Sequence, residues 1–283
     1  MTKKWIGIVL AVFLLAACGA PAPAQPGVET VVAETLVAMT SAAPPVDTPA
    51  APEGALVSAN SVKFVIPVGL GTSANVESLP EAIITDGPMM ASAPAHTKFT
   101  LTGYPLQGKF FEPNIYVYPV AEYEAINDSA AQNIQKLRAI LASPEAPLTK
   151  DALPGITAFN AAKVFTAKMQ LISFQSGSGV IFLTQYAQYP ATVNNKEMFY
   201  NFQGLTSDGR FYIVAILPVN APFLAPDDNP QSVLPSDGIP LTAEMPDDAY
   251  YAAVVSKLDQ TAPDIFTPTL TQLDALIQSI TIQ

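Results

Sequence analysis

Four alternating runs between Val164 and Val219 constrain this 283-residue chain more than any other feature. In the first, Phe165, Ala167, Met169 and Leu171 alternate with Thr166, Lys168 and Gln170. Val180–Tyr189, Met198–Gly204 and Phe211–Val219 are the other three. A period of two places alternate side chains on opposite faces of a strand. The connections are Ser176-Gly177-Ser178-Gly179, the loop 190–196 with Asn194-Asn195, and Thr206-Ser207-Asp208-Gly209. Gly, Asn and Asp suit the positive φ of tight turns. Such connections are too short for a parallel crossover, so the block reads as an antiparallel meander.

The predicted fold class is therefore α+β, a meander packed by helices on its N-terminal and C-terminal sides. Upstream, Ser61–Pro67, Thr97–Tyr104 and Asn114–Val120 read as strands, the last at an edge because Pro119 lacks a ladder donor. Thr72–Ala95 reads as a long loop. A helix follows Asp128 or Ser129 as N-cap, with Ala130, Ile134, Leu137 and Leu141 on one face. Residues 220–245 form an acidic, proline-rich loop. Tyr251, Val254, Val255 and Leu258 then mark one helix. Thr267 and Pro268 start another, with Leu270, Leu273 and Ile277 inward. No internal repeat is present, and 61–283 reads as one domain, or as a domain with a small N-terminal sheet extension.

The N-terminus carries a different signal. Lys3 and Lys4 precede an uncharged apolar run, Trp5–Ala17, of 13 residues. This is the layout of a secretory signal, and it is short of the roughly 20 residues a spanning helix needs. It ends in Leu15-Ala16-Ala17-Cys18, which resembles the lipobox of bacterial lipoproteins. That resemblance implies removal of 1–17 and lipidation of Cys18, so that the chain is held on a bilayer. The expected location is extracytoplasmic, on the cell membrane or outer membrane. Cys18 is the chain's one cysteine, so the exported domain folds without a disulfide. Residues 18–60 read as the anchor and a disordered Pro/Ala-rich linker, with seven prolines between 19 and 60. Val28, Val32, Leu36 and Met39 fit one short helix inside it.

Without residues 1–17 the chain holds 11 basic and 24 acidic residues, because Lys3 and Lys4 are two of its 13 Lys and Arg. A surface so acidic repels nucleic acid, and no nucleic-acid partner is expected. The chemistry is sparse. His96 is the single histidine, no G-x-S-x-G elbow accompanies it, and no second histidine completes a zinc site. Asp227, Asp228, Asp237, Asp247 and Asp248, with Asn229 and Ser236, offer hard oxygen ligands for Ca²⁺ without EF-hand spacing, and read as solvated acids and helix caps. Gly69-Leu70-Gly71 lacks the following helix of a dinucleotide loop. No catalytic residue, metal or cofactor is assigned.

Phe182, Tyr186, Tyr189, Phe199, Tyr200, Phe202, Phe211 and Tyr212 divide between core and exposed faces of the meander, mostly core. Gln185, Gln188 and Gln203 add polar groups near the same strands. Tyr186, Gln188 and Gln203 are the candidate binding residues.

The segments 184–188, Asn194-Asn195 and Phe202–Gly209 resemble a family of uncharacterised exported bacterial surface lipoproteins, and that likeness brings no activity with it. A meander closed by a helix ending in Ser279-Ile280-Thr281-Ile282 is similar to the PsbP/Mog1-like sandwich, an implication for fold alone. The leading functional expectation is a non-enzymatic, membrane-anchored module for a protein or small-molecule partner. A hydrolase using carboxylates or a metal, and a solute-binding lipoprotein of a transporter, are the alternatives.

Overall fold

The computed structural model describes residues 53–86 and 91–283. Cys18, the signal run and most of the linker, including the short helix read at 28–39, lie outside the described residues.

Two antiparallel hairpin systems form the frame. β1 (Gly54–Ala59), β2 (Val62–Pro67) and the C-terminal β10 (Thr281–Ile282) make a small sheet of order β1-β2-β10. The large sheet is built from β3 (Ser73–Leu79), β4 (His96–Thr102), β5 (Asn114–Pro119), β6 (Ala162–Phe174), β7 (Gly177–Ala187), β8 (Phe199–Thr206) and β9 (Phe211–Pro218). Its order is β3-β4-β5-β9-β8-β7-β6, antiparallel throughout. The α+β class and the four-stranded meander thus stand as read, extended by three strands on the β9 side.

Helices cover both faces of this sheet. On one side lie α1 (Val120–Ile126) and α2 (Asp128–Ala142), whose Ala130, Ile134, Leu137 and Ile140 are buried. They pack with Phe182, Phe199, Tyr212, Val214 and Ile216. On the other side lie α3 (Asp248–Gln260), α4 (Leu270–Gln278) and the small sheet. Phe64, Phe99, Tyr200, Phe202, Val254 and Leu273 are among the side chains of that layer. Double coverage makes β8 buried along its whole length. Fully burying a large apolar side chain contributes about 1.5–3 kcal/mol, so this doubly covered centre is the main source of cohesion.

Several local expectations change. β1 lies within residues read as linker, so the fold begins before residue 61. β3 occupies the expected loop at 72–95 as an edge strand with almost every side chain exposed, and solvent on both faces erases any alternation. β5 is interior, not an edge. Its pairing with β4 stops at Val117, so the N–H that Pro119 lacks is not needed on that side. The cap of α2 is Asn127, whose side chain accepts from the Ala130 N–H at 3.0 Å.

The last helix starts at Leu270, capped by Thr269 in a reciprocal capping box with Gln272. Thr267 instead pairs with Asn220, and its bond to Pro268 is cis. Strand β6 carries register shifts, one of them between Ala167 and Gln170. Lys168 there has φ +53°, and its N–H donates to Asp259 Oδ1 at 2.6 Å. The extra residue inverts the alternation. Phe165, Ala167, Ile172 and Phe174 consequently share the α3/α4 layer, while Met169 and Leu171 pack on the α1/α2 side.

Candidate functional site

Tyr186 and Gln203 do come together, but beneath the loop 153–157 that crosses the α2 side of the sheet. The Tyr186 hydroxyl accepts from the Ile156 N–H at 3.1 Å, and burial pushes its pKa up. Gln203 is fully buried. Its Nε2 donates to Gly155 O at 3.1 Å and to Asn201 Oδ1 at 2.9 Å, while its Oε1 accepts from the Tyr212 hydroxyl. Asn133 of α2 accepts from the Gly155 N–H at 2.8 Å. Both side chains are loop anchors with their polar atoms occupied. Among the described residues no buried side-chain N or O lacks a partner.

Gln188 lies elsewhere. It is exposed, donates to Asn160 O at 2.7 Å, and lines an open hollow of about 620 Å³ with Lys163, Tyr189, Asp247, Asp248 and Tyr251. A second hollow of about 450 Å³ adjoins it and shares Tyr189, Pro190 and Pro246. Together they form a groove between the end of β7, the loop 187–193, the segment 225–247 and the start of α3.

The groove has a fixed floor. The Tyr250 hydroxyl accepts from the Val193 N–H at 3.1 Å, and the Tyr251 hydroxyl donates to Ala191 O at 3.0 Å. Asn195 ties in the segment 221–225. Its side-chain amide donates to Ala221 O at 3.0 Å and Leu224 O at 3.1 Å, and its N–H donates to Ala225 O at 2.8 Å. Lys109 donates to Asn195 O and to Asn220 Oδ1, and burial lowers its pKa to about 8. Gln185 and Asn194 both donate to Glu197 Oε2, at 2.8 and 3.3 Å. Partial burial raises the pKa of Glu197, with the Asn194 bond opposing and the charge of Asp228 adding to the rise. Hydrogen bonds thus fix the 190–197 turn before any ligand arrives.

The rim is different in kind. Tyr189 is 60% exposed and Met245 63% exposed, with Leu234 and Leu241 also open to solvent. Of the eight aromatic residues singled out on the meander, Tyr189 alone is excluded from both buried layers. Between these apolar side chains stand Asp228, Glu244, Asp247 and Asp248. Asp247 caps α3 by accepting from the Tyr250 N–H at 2.8 Å. Asp227 accepts from the Asn229 N–H and the Ser232 hydroxyl. Asp237 pairs with Lys257 at 3.1 Å. The acids weighed as calcium ligands are therefore dispersed, and among the described residues no three His, Cys, Asp or Glu converge to hold a metal ion. His96 is remote from them in role. Its Nδ1 bonds Pro94 O at 2.7 Å, its ring packs tilted against Tyr118 with centroids 4.5 Å apart, and burial lowers its pKa.

A smaller hollow of about 140 Å³ is lined by Asp274, Tyr200 and Gln170 among others. The Tyr200 hydroxyl donates to Asp274 Oδ1 at 2.8 Å, yet burial dominates and raises the carboxyl pKa. The folded chain then binds more protons than the unfolded one between the ordinary carboxylate value and the raised one. Wild-type stability therefore falls as pH rises through that interval. Asp274→Asn keeps an acceptor for Tyr200 and removes the titration. The stability of the variant relative to wild type should rise with pH across the interval and level off above it. Urea unfolding at a series of pH values checks this; a pH-independent difference would refute it.

Compared with protein-family models, curated proteins and solved structures, the chain matches none. The groove is therefore read from its own residues. Periodicity did not find it, because it joins residues 162–164, 187–193 and 225–251. The available signal lay in composition: between Val219 and Tyr251 the chain has six acids, no basic residue, and apolar side chains with no helical or strand period.

Proposed function

We propose that the chain is a lipid-anchored extracytoplasmic binding module whose groove holds the partner. The observation that carries this reading is the contrast between floor and rim. A hydrogen-bonded floor keeps the groove's shape, and an exposed tyrosine and methionine stand over it, covered by nothing among the described residues. Sites of this volume, preformed and mixing apolar walls with a few polar groups, are the usual form of a binding cleft. The run Leu15-Ala16-Ala17-Cys18 supplies the anchoring half of the reading.

The test compares full-length wild type with the double variant Tyr189→Ala, Met245→Ala, each immobilised and exposed to cell-envelope extract. Both residues are mostly exposed, so the fold should tolerate the change. Any ligand retained by wild type should be held about tenfold less by the variant, the equivalent of ~1.4 kcal/mol. Equal retention by both proteins would remove the groove from the reading.

A further inference from the structure

The groove's chemistry selects the class of its occupant. We propose that it takes an extended, cationic segment of another polypeptide, with lysine or arginine side chains against the rim acids and apolar side chains between them. This rests on the reading of the groove as the binding surface.

Three observations carry it. First, the charge is one-sided. Asp228, Glu244, Asp247 and Asp248 face the groove, and among the described residues Lys163 is the single basic one lining it. The Lys163 ammonium is already committed: it donates to Leu153 O at 2.7 Å and to Lys150 O at 3.1 Å, carbonyls that line neither hollow. Complementary potential favours a positive partner and disfavours an anionic one.

Second, carboxylates and prolines weight the lining toward acceptors, although Gln188, Tyr189, Thr192 and Asn229 also carry donors. Pro190, Pro230, Pro240 and Pro246 have no N–H to offer, and carboxylates only accept. Ser232, a hydroxyl in the lining, already donates to Asp227. Ammonium and guanidinium groups bring donors without acceptors, so they match this surface. A carboxylate or phosphate would meet like charge from the rim acids.

Third, the two hollows adjoin through Tyr189, Pro190 and Pro246, with exposed apolar side chains (Tyr189, Leu234, Leu241, Met245) set among the acids. Alternation of charged and apolar side chains along an extended peptide suits such a lining.

The experiment is calorimetric titration of the full-length chain in detergent with three synthetic peptides of equal length: alternating Lys-Leu, alternating Glu-Leu and alternating Ser-Leu. The Lys-Leu peptide should bind most tightly, and its affinity should fall about tenfold when salt shortens the Debye length from ~10 Å to ~3 Å. The double variant Asp228→Asn, Glu244→Gln should weaken it by about tenfold. Neither side chain makes a hydrogen bond or ion pair within the described chain that its loss would disrupt. Equal or tighter binding of the Glu-Leu or Ser-Leu peptide would overturn the assignment of a cationic partner. So would an affinity unchanged in the double variant, or no binding of the Lys-Leu peptide. In those cases the groove itself is judged separately, by whether binding of the favoured peptide, or of the ligand retained from extract, still falls in Tyr189→Ala, Met245→Ala.

Discussion

Gln203→Leu is expected to destabilise the fold by several kcal/mol while leaving the groove intact. Leucine nearly matches glutamine in volume and suits a fully buried position, so packing alone predicts a mild change. The hydrogen bonds predict otherwise. Gln203 satisfies the Tyr212 hydroxyl, Asn201 Oδ1 and Gly155 O at once. Each buried group left without a partner costs about 1–3 kcal/mol, against a total stability for ordinary domains of about 5–15 kcal/mol. Urea unfolding measures the loss. Adding Tyr212→Phe to Gln203→Leu removes one stranded hydroxyl and should recover about 1 kcal/mol or more. A loss below ~1 kcal/mol for the single variant would show that the loop 153–157 does not depend on this residue. Binding to the groove should be unchanged, because Gln203 lines neither of its hollows.

The same residue shows what the sequence carried and what it lacked. Gln203 follows Phe202 in an alternating strand, so its orientation opposite Phe202 was legible. Whether that face met water, a pocket or a helical layer depended on α1 and α2, which come from residues 120–142. A polar residue on the outer face of a meander and one sealed beneath a loop look alike in sequence. Gln188, two residues beyond Tyr186, falls past the end of β7 and so reaches the groove instead.

Elements rich in buried apolar side chains were readable for the same reason that β1 and β3 were not. β7, β8 and β9 carry dense apolar runs between Gly, Asn and Asp turns. In β3, Ser73–Leu79, solvent on both faces imposes no pattern; its place is set by pairing with β4. The bulge at Lys168 was hidden because a lysine with positive φ is held by Asp259, far along the chain on α3. By contrast, the capping box of α4 was present in the spelling Thr269-Leu270-Thr271-Gln272, and Pro268 drew the helix start two residues too early.

On the proposed lipid anchor, Cys18→Ser should abolish incorporation of labelled palmitate and release or misprocess the chain, with the fold and groove unaffected. The chain contains no other thiol, so no second residue can form the thioether in its place. A serine hydroxyl has nearly the same size but is a far weaker nucleophile at neutral pH, because no thiolate is available. The consequence for anchoring is large. Each buried CH₂ contributes about 0.8 kcal/mol, and one acyl chain gives only marginal attachment while two hold firmly. On the proposal that Cys18 carries the acyl chains, their loss removes the anchor and leaves only the apolar run Trp5–Ala17, which is short for a span. Metabolic labelling and membrane fractionation read the two effects separately. Labelling that persisted in Cys18→Ser would refute the anchor. Lost labelling with unchanged peptide binding in detergent would separate where the chain is held from what its groove holds.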